Sequence, residues 1–343
     1  MVAPSAGDGI RLRKAAGRAA PGPTDAPLLY PAVEPSGVTD PPPTSVLLPT
    51  VRWTDACAEV AAMLRADDEL LVIADDADDP VADRRGETDD GVRVVLAGEP
   101  EGCSGKANAI AAGMETARHD RIVWTDDDFR HPPGWLDDLH ADYERRGPTT
   151  ELPVFVGRDP LGVLLEPAYL VGGTLAVAAG GIAWGGAVVF ERDDLDEAAL
   201  VADLRRTVSD DGTLSEHLAV TPTRRTRIVP AGGSVRASLE RSVRFLWIVR
   251  YHVPRASAVN VGLAAAFATL CLAAPVLGIG FVTLISATTY AWAGLRRPTF
   301  LLAGPAAIAM PALLAYAFAR RTFAWGGRRY RWVRKDDVRV CAE

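Results

Sequence analysis

The sequence of 343 residues is poor in lysine, with only Lys14, Lys106 and Lys335 among its 37 basic residues. It has four cysteines, none in a Cys-x-x-Cys pair or near histidine at a zinc-ligand spacing, which argues against a zinc site or a disulfide framework. The five histidines form no His-x-His or His-x-x-x-His pair, and no Walker phosphate loop is present.

Negative charge dominates the chain, with 44 acidic residues and a net charge of −7. Abundant aspartate with scarce lysine resembles the composition of proteins adapted to high salt. The charge is unevenly placed, because residues 241–343 carry a net charge of +11 and residues 1–240 a net charge of −18. A basic part indicates contact with a membrane or with nucleic acid. Since this part is also the most apolar one, we expect a membrane partner and no nucleic acid.

The chain divides into parts of different composition. Residues 1–43 are rich in Pro, Gly and Ala and have no continuous apolar stretch, so we expect neither a signal peptide nor a membrane span there. We expect this extension to be disordered, or in part to precede the true start codon. From residue 44 apolar strands alternate with helices, which predicts an α/β catalytic domain with a mainly parallel mixed sheet over residues 44–240. The predicted strands include Thr44–Pro49, Glu69–Ala74, Val92–Leu96 and Arg121–Thr125.

The end of the chain has the composition of membrane-embedded protein. Residues 256–295 and 300–319 contain no charged side chain, which predicts two to three transmembrane helices over residues 256–320. An amphipathic helix at 241–255 is predicted to lie in the interface, and residues 321–343 form a basic tail. Three full crossings from a cytoplasmic domain would put this Arg-rich tail outside, against the positive-inside rule. One segment is then re-entrant or interfacial, and the sequence leaves open which one.

An acidic turn follows the fourth predicted strand directly. Ligands of parallel α/β sheets sit beyond the carboxyl ends of the strands, where this turn lies. Asp126 and Asp128 offer two carboxylates at one loop, and Mg²⁺ or Mn²⁺ prefers such oxygen ligands and bridges them to phosphate oxygens. We predict a metal site at Asp126 and Asp128 that holds the diphosphate of a nucleotide sugar. A solvated acidic turn is the alternative in so Asp-rich a chain.

Further candidates for substrate binding come from other turns. Asp75 and Asp76 end the second strand, and their carboxylates could accept hydrogen bonds from a nucleoside. Lys106, retained in a chain that otherwise uses Arg, and Asn108 begin a helix, and Lys106 is predicted to donate to a phosphate or base oxygen. The glycine turn that includes Trp184, Gly185 and Gly186 would let substrate approach the backbone. Each also has a plainer interpretation, as an acidic turn, a chance lysine or an ordinary loop.

Two later motifs complete the set. Asp210 and Asp211 precede a predicted helix, and Arg241 and Arg244 lie at i and i+3 on one helical face. The two arginines could neutralise a departing diphosphate, or they could anchor the helix at a membrane surface.

In this order, before membrane segments, the motifs resemble those of family 2 glycosyltransferases, and most closely the membrane-bound branch that includes ceramide glucosyltransferase. The resemblance covers about residues 44–255 and rests on Asp76, Asp126–Asp128, Asp210-Asp211 and the sequence RSVRF at 241–245, where Phe245 replaces the family's Trp. The tail sequence WGGRRY at 325–330 resembles the tails of membrane-bound members.

The resemblance implies a GT-A fold and an inverting transferase. In it Asp211 is the general base supported by Asp210, and Arg241 and Arg244 stabilise the leaving group. The resemblance implies a nucleotide-sugar donor, which we expect to be UDP-linked, and a lipid or lipid-linked acceptor. The protein is expected to be integral to the cell membrane with its catalytic domain cytoplasmic. Two alternatives stay open, a processive polysaccharide synthase and a catalytically inactive membrane scaffold.

Overall fold

The computed structural model describes residues 41–85, 91–180 and 182–341. The predicted N-terminal extension therefore lies almost wholly outside the described residues. The strands, numbered β1 to β10 along the chain, are Thr44–Pro49, Glu69–Ala74, Val92–Leu96, Arg121–Thr125, Thr149–Gly157, Ala187–Glu191, Thr221–Ala231, Thr322–Trp325, Arg328–Arg334 and Asp337–Cys341. The α-helices, α1 to α11, are Asp55–Ala61, Gly105–Thr116, Trp135–Arg146, Pro160–Tyr169, Leu175–Gly180, Glu197–Leu204, Asp210–His217, Val235–His252, Pro254–Ala273, Pro275–Trp292 and Ala303–Phe318.

Seven strands form one mixed sheet in the order β3-β2-β1-β4-β6-β5-β7. Strands β1 to β4 run parallel to one another, β6 is antiparallel to β4 and to β5, and β5 is parallel to β7. The predicted fold class, an α/β GT-A domain with a mainly parallel mixed sheet followed by apolar helices, is confirmed. The four predicted strands of the first half have the bounds that the apolar runs indicated.

The sheet is covered by helices on both faces, which explains its continuous apolar strands. Leu47 and Ile73 point into one core with α2, α6 and α7, whereas Val46 and Leu48 point into a second core with α1 and α3. Helix α2 lies so close to the sheet that a Cβ at Gly113 would be 2.5 Å from Ile73 Cδ1. Its Gly- and Ala-rich sequence is thus required by the narrow space between helix and sheet.

The C-terminal residues form structure that the sequence did not predict. Strands β8, β9 and β10 make an antiparallel three-stranded sheet, which packs on α8 through Phe323, Tyr330 and Trp332. Helix α8 begins six residues before the expected start at 241 and buries Val243, Leu246 and Trp247 in this contact. The predicted basic tail is therefore folded against the catalytic domain.

Among the residues that the structure describes, four helical segments are long and apolar enough to cross a membrane: Pro160–Gly180, Pro254–Ala273, Pro275–Trp292 and Pro298–Phe318. Three of them lie where the sequence predicted two to three transmembrane helices. The fourth, Pro160–Gly180, combines α4, a π-helical turn at Leu170–Thr174 and α5, and it lies within the predicted catalytic domain between β5 and β6. The sequence analysis missed it as an apolar segment.

A buried carboxylate joins three elements of the catalytic domain. Glu151 of β5 is fully buried and accepts from Trp135 Nε1 at 3.1 Å, from Arg225 Nε at 2.8 Å and from Arg227 Nε at 2.5 Å. Breaking a buried pair on one side leaves uncompensated charge, which costs about 3–5 kcal/mol. Strands β5 and β7 and helix α3 thus share one electrostatic contact.

We expect Glu151→Ala to lower the free energy of unfolding by about 3–5 kcal/mol, because two arginines lose their buried partner. Thermal unfolding followed by tryptophan fluorescence measures this. Glu115→Ala is the matched control, because Glu115 pairs with Arg205 at the surface with its side chain 52% exposed, and such pairs contribute about 1 kcal/mol or less. Equal transitions for the two variants would contradict the assignment.

Candidate active site

The carboxyl end of β4 carries the acidic turn into a cleft that α2 and α7 also border. Lys106 begins α2, after Ser104 caps this helix by accepting from Ala107 N at 3.1 Å. Its Nζ lies 2.7 Å from Asp126 Oδ1 and 2.9 Å from Asp210 Oδ2. One lysine therefore joins the acidic turn after β4 to the acidic pair at the start of α7.

The charges in this cleft shift one another's ionisation. Burial disfavours the charged ammonium, but Asp126 and Asp210 outweigh it and raise the pKa of Lys106 well above its ordinary value. Burial, together with the charge of Asp210, raises the pKa of Asp126. Burial and the charge of Asp210 likewise raise the pKa of Asp211 to about 7. Such perturbed values in a cleft are typical of functional sites.

Asp211 is held by a backbone donor. Gly185 N donates to Asp211 Oδ1 at 2.6 Å. A Cβ at Gly185 would be 2.7 Å from that oxygen and 2.9 Å from Asp210 Oδ2. The glycine turn therefore brings β6 against the acidic pair, a role that differs from the predicted approach of substrate to the backbone. Trp184 anchors this turn in the core, where it is buried beside Phe129 with ring centroids 5.2 Å apart.

Arg241 and Arg244 of α8 lie beside the cleft, close enough for Arg244 to interact with the charges of Asp210 and Asp211. The Arg241 guanidinium lies 4.5 Å from the ring centres of both Phe155 and Phe245, and that of Arg244 lies 3.9 Å from the Trp325 ring. Within the described residues neither arginine forms an ion pair, and the Nε of each has no hydrogen-bond partner. Burial and the neighbouring Arg241 lower the pKa of Arg244 to about 9.

A cavity of about 410 Å³ opens beside these two arginines. The β7–α8 turn, the first turns of α8 and the β8–β9 turn line it; the residues are Gly232, Ser234, Arg236, Ala237, Glu240, Arg241, Arg244, Ala324, Trp325, Gly326 and Gly327. The RSVRF motif and part of the WGGRRY tail thus meet at one cavity, although 80 residues separate them in the sequence.

The other predicted binding residues have partners within the protein. Asp75 accepts a hydrogen bond from Arg328 of β9, and burial raises the pKa of Asp75 in spite of this cation. Asp76 Oδ1 accepts from Asp78 N at 2.7 Å and stabilises the turn after β2. Asn108 Nδ2 donates to Gly98 O at 2.7 Å, so that it ties α2 to the loop after β3. Their roles toward a substrate remain predictions.

Asp128 lies at the outer end of the acidic turn. The surrounding protein and the charge of Asp126 raise the pKa of Asp128 to about 7. Among the described residues no three His, Cys, Asp or Glu side chains are arranged to hold a metal ion by themselves. Asp126 and Asp128 would supply two carboxylates, which is the number that Mg²⁺ sites commonly use when substrate phosphates and water provide the other ligands.

Two residues of the C-terminal sheet reach the site, and the sequence analysis did not predict them. Arg328 contacts Asp75, and Tyr330 Oη accepts from Gly105 N at 3.0 Å, at the start of the helix that carries Lys106. Their only signal in the sequence was the resemblance of WGGRRY at 325–330 to tails of membrane-bound relatives.

The fold and the acidic cleft define a glycosyltransferase. The model of glycosyl transferase family 21 matches residues 87–337, and the chain therefore belongs to this family. The predicted family number, 2, is thus corrected to 21, a family of ceramide glucosyltransferase type, which keeps the kinship that the motifs indicated.

Similar solved structures share little sequence with the chain. A mycobacterial protein is 17% identical over 60% of this chain and 74% of its own, with a TM-score of 0.34. Glucosyl-3-phosphoglycerate synthase from Mycobacterium tuberculosis, in complex with Mn²⁺, UDP and phosphoglyceric acid, is 16% identical over 60% of this chain and 78% of its own, with a TM-score of 0.37. The same synthase with Mn²⁺ and UDP-glucose has a TM-score of 0.36 at 15% identity over the same shares. No curated protein matches the chain.

We expect Gly185→Ala to lower turnover about 10²-fold, because the new methyl group displaces Asp211 and Asp210, and misplacement by about 1 Å costs that much. Gly172→Ala is the matched control, since a Cβ at Gly172 would meet no atom within 4 Å. Release of nucleotide from a sugar donor measures turnover. Unchanged turnover in Gly185→Ala would show that the contact with the acidic pair is dispensable.

Proposed function

We propose that the protein transfers a sugar from a nucleotide-diphosphate sugar, UDP-linked, to the hydroxyl of a lipid or lipid-linked acceptor, with inversion at the anomeric carbon. It does so attached to the cell membrane, with its catalytic domain on the cytoplasmic side. The observation that carries this proposal is the ion-pair cluster of Lys106 with Asp126 and Asp210, next to Asp211 and Arg244. Membership of family 21 and the four apolar segments support the membrane acceptor.

Asp211 is the general base in this proposal. The acceptor hydroxyl loses its proton as it attacks the anomeric carbon, and a base works best when its pKa lies near the working pH. The pKa of about 7 at Asp211 meets that condition. The hydrogen bond from Gly185 N fixes one carboxylate oxygen, while Asp210 is held by Lys106, so the two neighbouring aspartates have different roles.

Asp126 and Asp128 fit a divalent cation by their chemistry. Burial and the charge of Asp210 raise the pKa of Asp126, while burial and the charge of Asp126 raise that of Asp128. This local excess of negative charge is one that a cation would neutralise. Mg²⁺ or Mn²⁺, when bound, supplies positive charge for the donor's diphosphate. Lys106 already neutralises part of this cluster and keeps Asp126 in place.

Arg241 and Arg244 stabilise the nucleotide diphosphate as it departs. Both guanidinium groups are partly buried and stacked on aromatic rings, and neither has an acidic partner among the described residues. Preorganised cations aimed at developing negative charge contribute strongly to catalysis, because they need no reorganisation during the reaction. Phe245 at the family's Trp position retains the stacking surface for Arg241.

A processive synthase would use the same cleft but would release long polysaccharide. The length of the product separates the two, because the proposed transferase adds a single sugar to each acceptor. A screen of UDP- and GDP-sugars with the purified protein identifies the donor.

Asp211→Asn should lower turnover about 10²–10⁴-fold while nucleotide binding persists, because an amide cannot accept the proton. In the wild-type protein kcat/KM should rise with pH through about 7, as Asp211 loses its proton. Asp193→Asn, at an exposed aspartate in the turn after β6, is the control and should behave as wild type. Near-wild-type turnover of Asp211→Asn would remove Asp211 from this role.

Removal of divalent metal with EDTA should abolish transfer, and Mg²⁺ or Mn²⁺ should restore it. Asp128→Ala should weaken UDP binding in the presence of metal and leave binding in EDTA unchanged, because only the metal-mediated contact is lost. Calorimetric titration with UDP measures the affinity with metal and in EDTA. Asp78→Ala, which removes an exposed carboxylate, is the control. Full activity in EDTA would contradict the metal site.

A further inference from the structure

The C-terminal sheet and the catalytic domain are in direct contact. Gly105 N donates to Tyr330 Oη at 3.0 Å, and Lys335 Nζ lies 2.5 Å from Glu216 Oε2. Two parts that touch in this way lie on the same side of a bilayer. The segments between them, from residue 254 to residue 318, must therefore cross the bilayer an even number of times.

Helices α9 and α10 form a closed hairpin. A single residue, Ala274, joins them, and Gly278 of α10 packs so tightly that a Cβ there would be 2.6 Å from the Leu270 carbonyl carbon of α9. Their 20 and 18 residues correspond to about 30 and 27 Å, the thickness of a hydrocarbon core. The hairpin tip is apolar and uncovered, with Leu272 65%, Val276 89% and Leu277 72% exposed.

The second helix of the hairpin returns to the catalytic domain. Near its end, Tyr290 Oη donates to Glu166 Oε1 of α4 at 3.2 Å. Just beyond it, Thr226 of β7 donates through its hydroxyl to Ala293 O at 3.3 Å. One residue, Val253, separates α8 from α9. Tyr251, near the end of α8, donates to Val333 O of β9 at 3.0 Å. Both ends of the hairpin are thus fastened to the same side.

The last apolar segment, Pro298–Phe318, also has both ends on that side. Arg297 Nε lies 3.0 Å from Glu166 Oε1, and the Thr299 hydroxyl donates to the same oxygen. At the other end, Trp247 Nε1 of α8 donates to Arg320 O at 2.6 Å. Between these ends the segment reaches the part of α10 near the hairpin tip. A Cβ at Gly304 would be 2.9 Å from Ile279, which lies four residues beyond Pro275.

The first part of this segment, which leads away from the catalytic domain, is not α-helical. Pro298–Leu302 forms a 3₁₀ turn, and α11 then leads back toward α8. Such backbone is tolerated at membrane depth where protein covers it, and α4 and α10 both pack on this turn. Glu166 of α4 is fully buried, and its carboxylate accepts hydrogen bonds from Arg297, Thr299 and Tyr290. An ionisable group in an apolar setting requires such partners.

We propose that α9 and α10 cross the bilayer as a hairpin, that residues 298–318 form a re-entrant segment, and that the C-terminal sheet therefore lies on the same side as the catalytic domain. This inference rests on the membrane attachment in the proposed function. The contacts of Glu166 with Arg297 and Thr299 mark the point where the re-entrant segment begins. The arrangement also puts Arg328, Arg329, Arg331 and Arg334 on the side that the positive-inside rule favours for basic residues.

Cysteine labelling in sealed vesicles of known orientation tests the arrangement. In the full-length chain carrying Cys341→Ser, single variants Asp67→Cys in the catalytic domain, Asp336→Cys in the β9–β10 turn and Leu277→Cys at the hairpin tip are exposed to a membrane-impermeant maleimide. All three positions are solvent-exposed. Asp67→Cys and Asp336→Cys should be labelled from the same side, and Leu277→Cys should not be labelled from that side.

Labelling of Asp336→Cys only from the side opposite to Asp67→Cys would overturn the inference, and so would labelling of Leu277→Cys from the side of Asp67→Cys. Sugar transfer and resistance to alkaline extraction are measured on the same vesicles. Opposite-side labelling in an active, extraction-resistant protein refutes only the even-numbered arrangement. Loss of the protein from the membrane on extraction refutes the membrane attachment in the proposed function and the arrangement with it.

Discussion

The electrostatic balance around Lys106 is the constraint on which the site depends. Without its ammonium group, the carboxylates of Asp126 and Asp210 would face each other in a partly buried cleft, where like charges are costly. Its pairing with both fixes the distance between the turn after β4 and the start of α7. The position of Asp211, the proposed base, follows from that distance and from the donor at Gly185.

The first half of the fold could be predicted from the sequence because its signals are local. Strands β1 to β4 are apolar on both faces and end in polar turns, so their bounds are legible without knowledge of the rest of the chain. The acidic motifs could be placed for the same reason, since each follows a predicted strand or precedes a predicted helix. The sequence also pointed to Lys106 as a functional group, though its contacts with two aspartates could not be known.

The rest could not be predicted because it depends on contacts between distant residues. Strand β7 is rich in arginine, and two of its arginines, Arg225 and Arg227, find their acidic partner in Glu151 of β5, about 75 residues earlier in the sequence. The C-terminal strands carry many arginines, which reads as a solvated tail until Tyr330 and Trp332 are seen buried against α8. The apolar segment Pro160–Gly180 lies inside the predicted catalytic domain, and its packing against α11 depends on residues more than 120 positions later in the sequence.

The contact between Tyr330 and Gly105 has a consequence for biosynthesis. A chain is made from its N-terminus and its domains generally fold in that order, so the sheet around Lys106 is available long before residue 330 leaves the ribosome. The partners that close the site over Asp75 and Gly105 come after the apolar segments in the sequence. In the proposed membrane arrangement, the cleft is completed only after these apolar segments have entered the bilayer, so the onset of activity is coupled to their insertion.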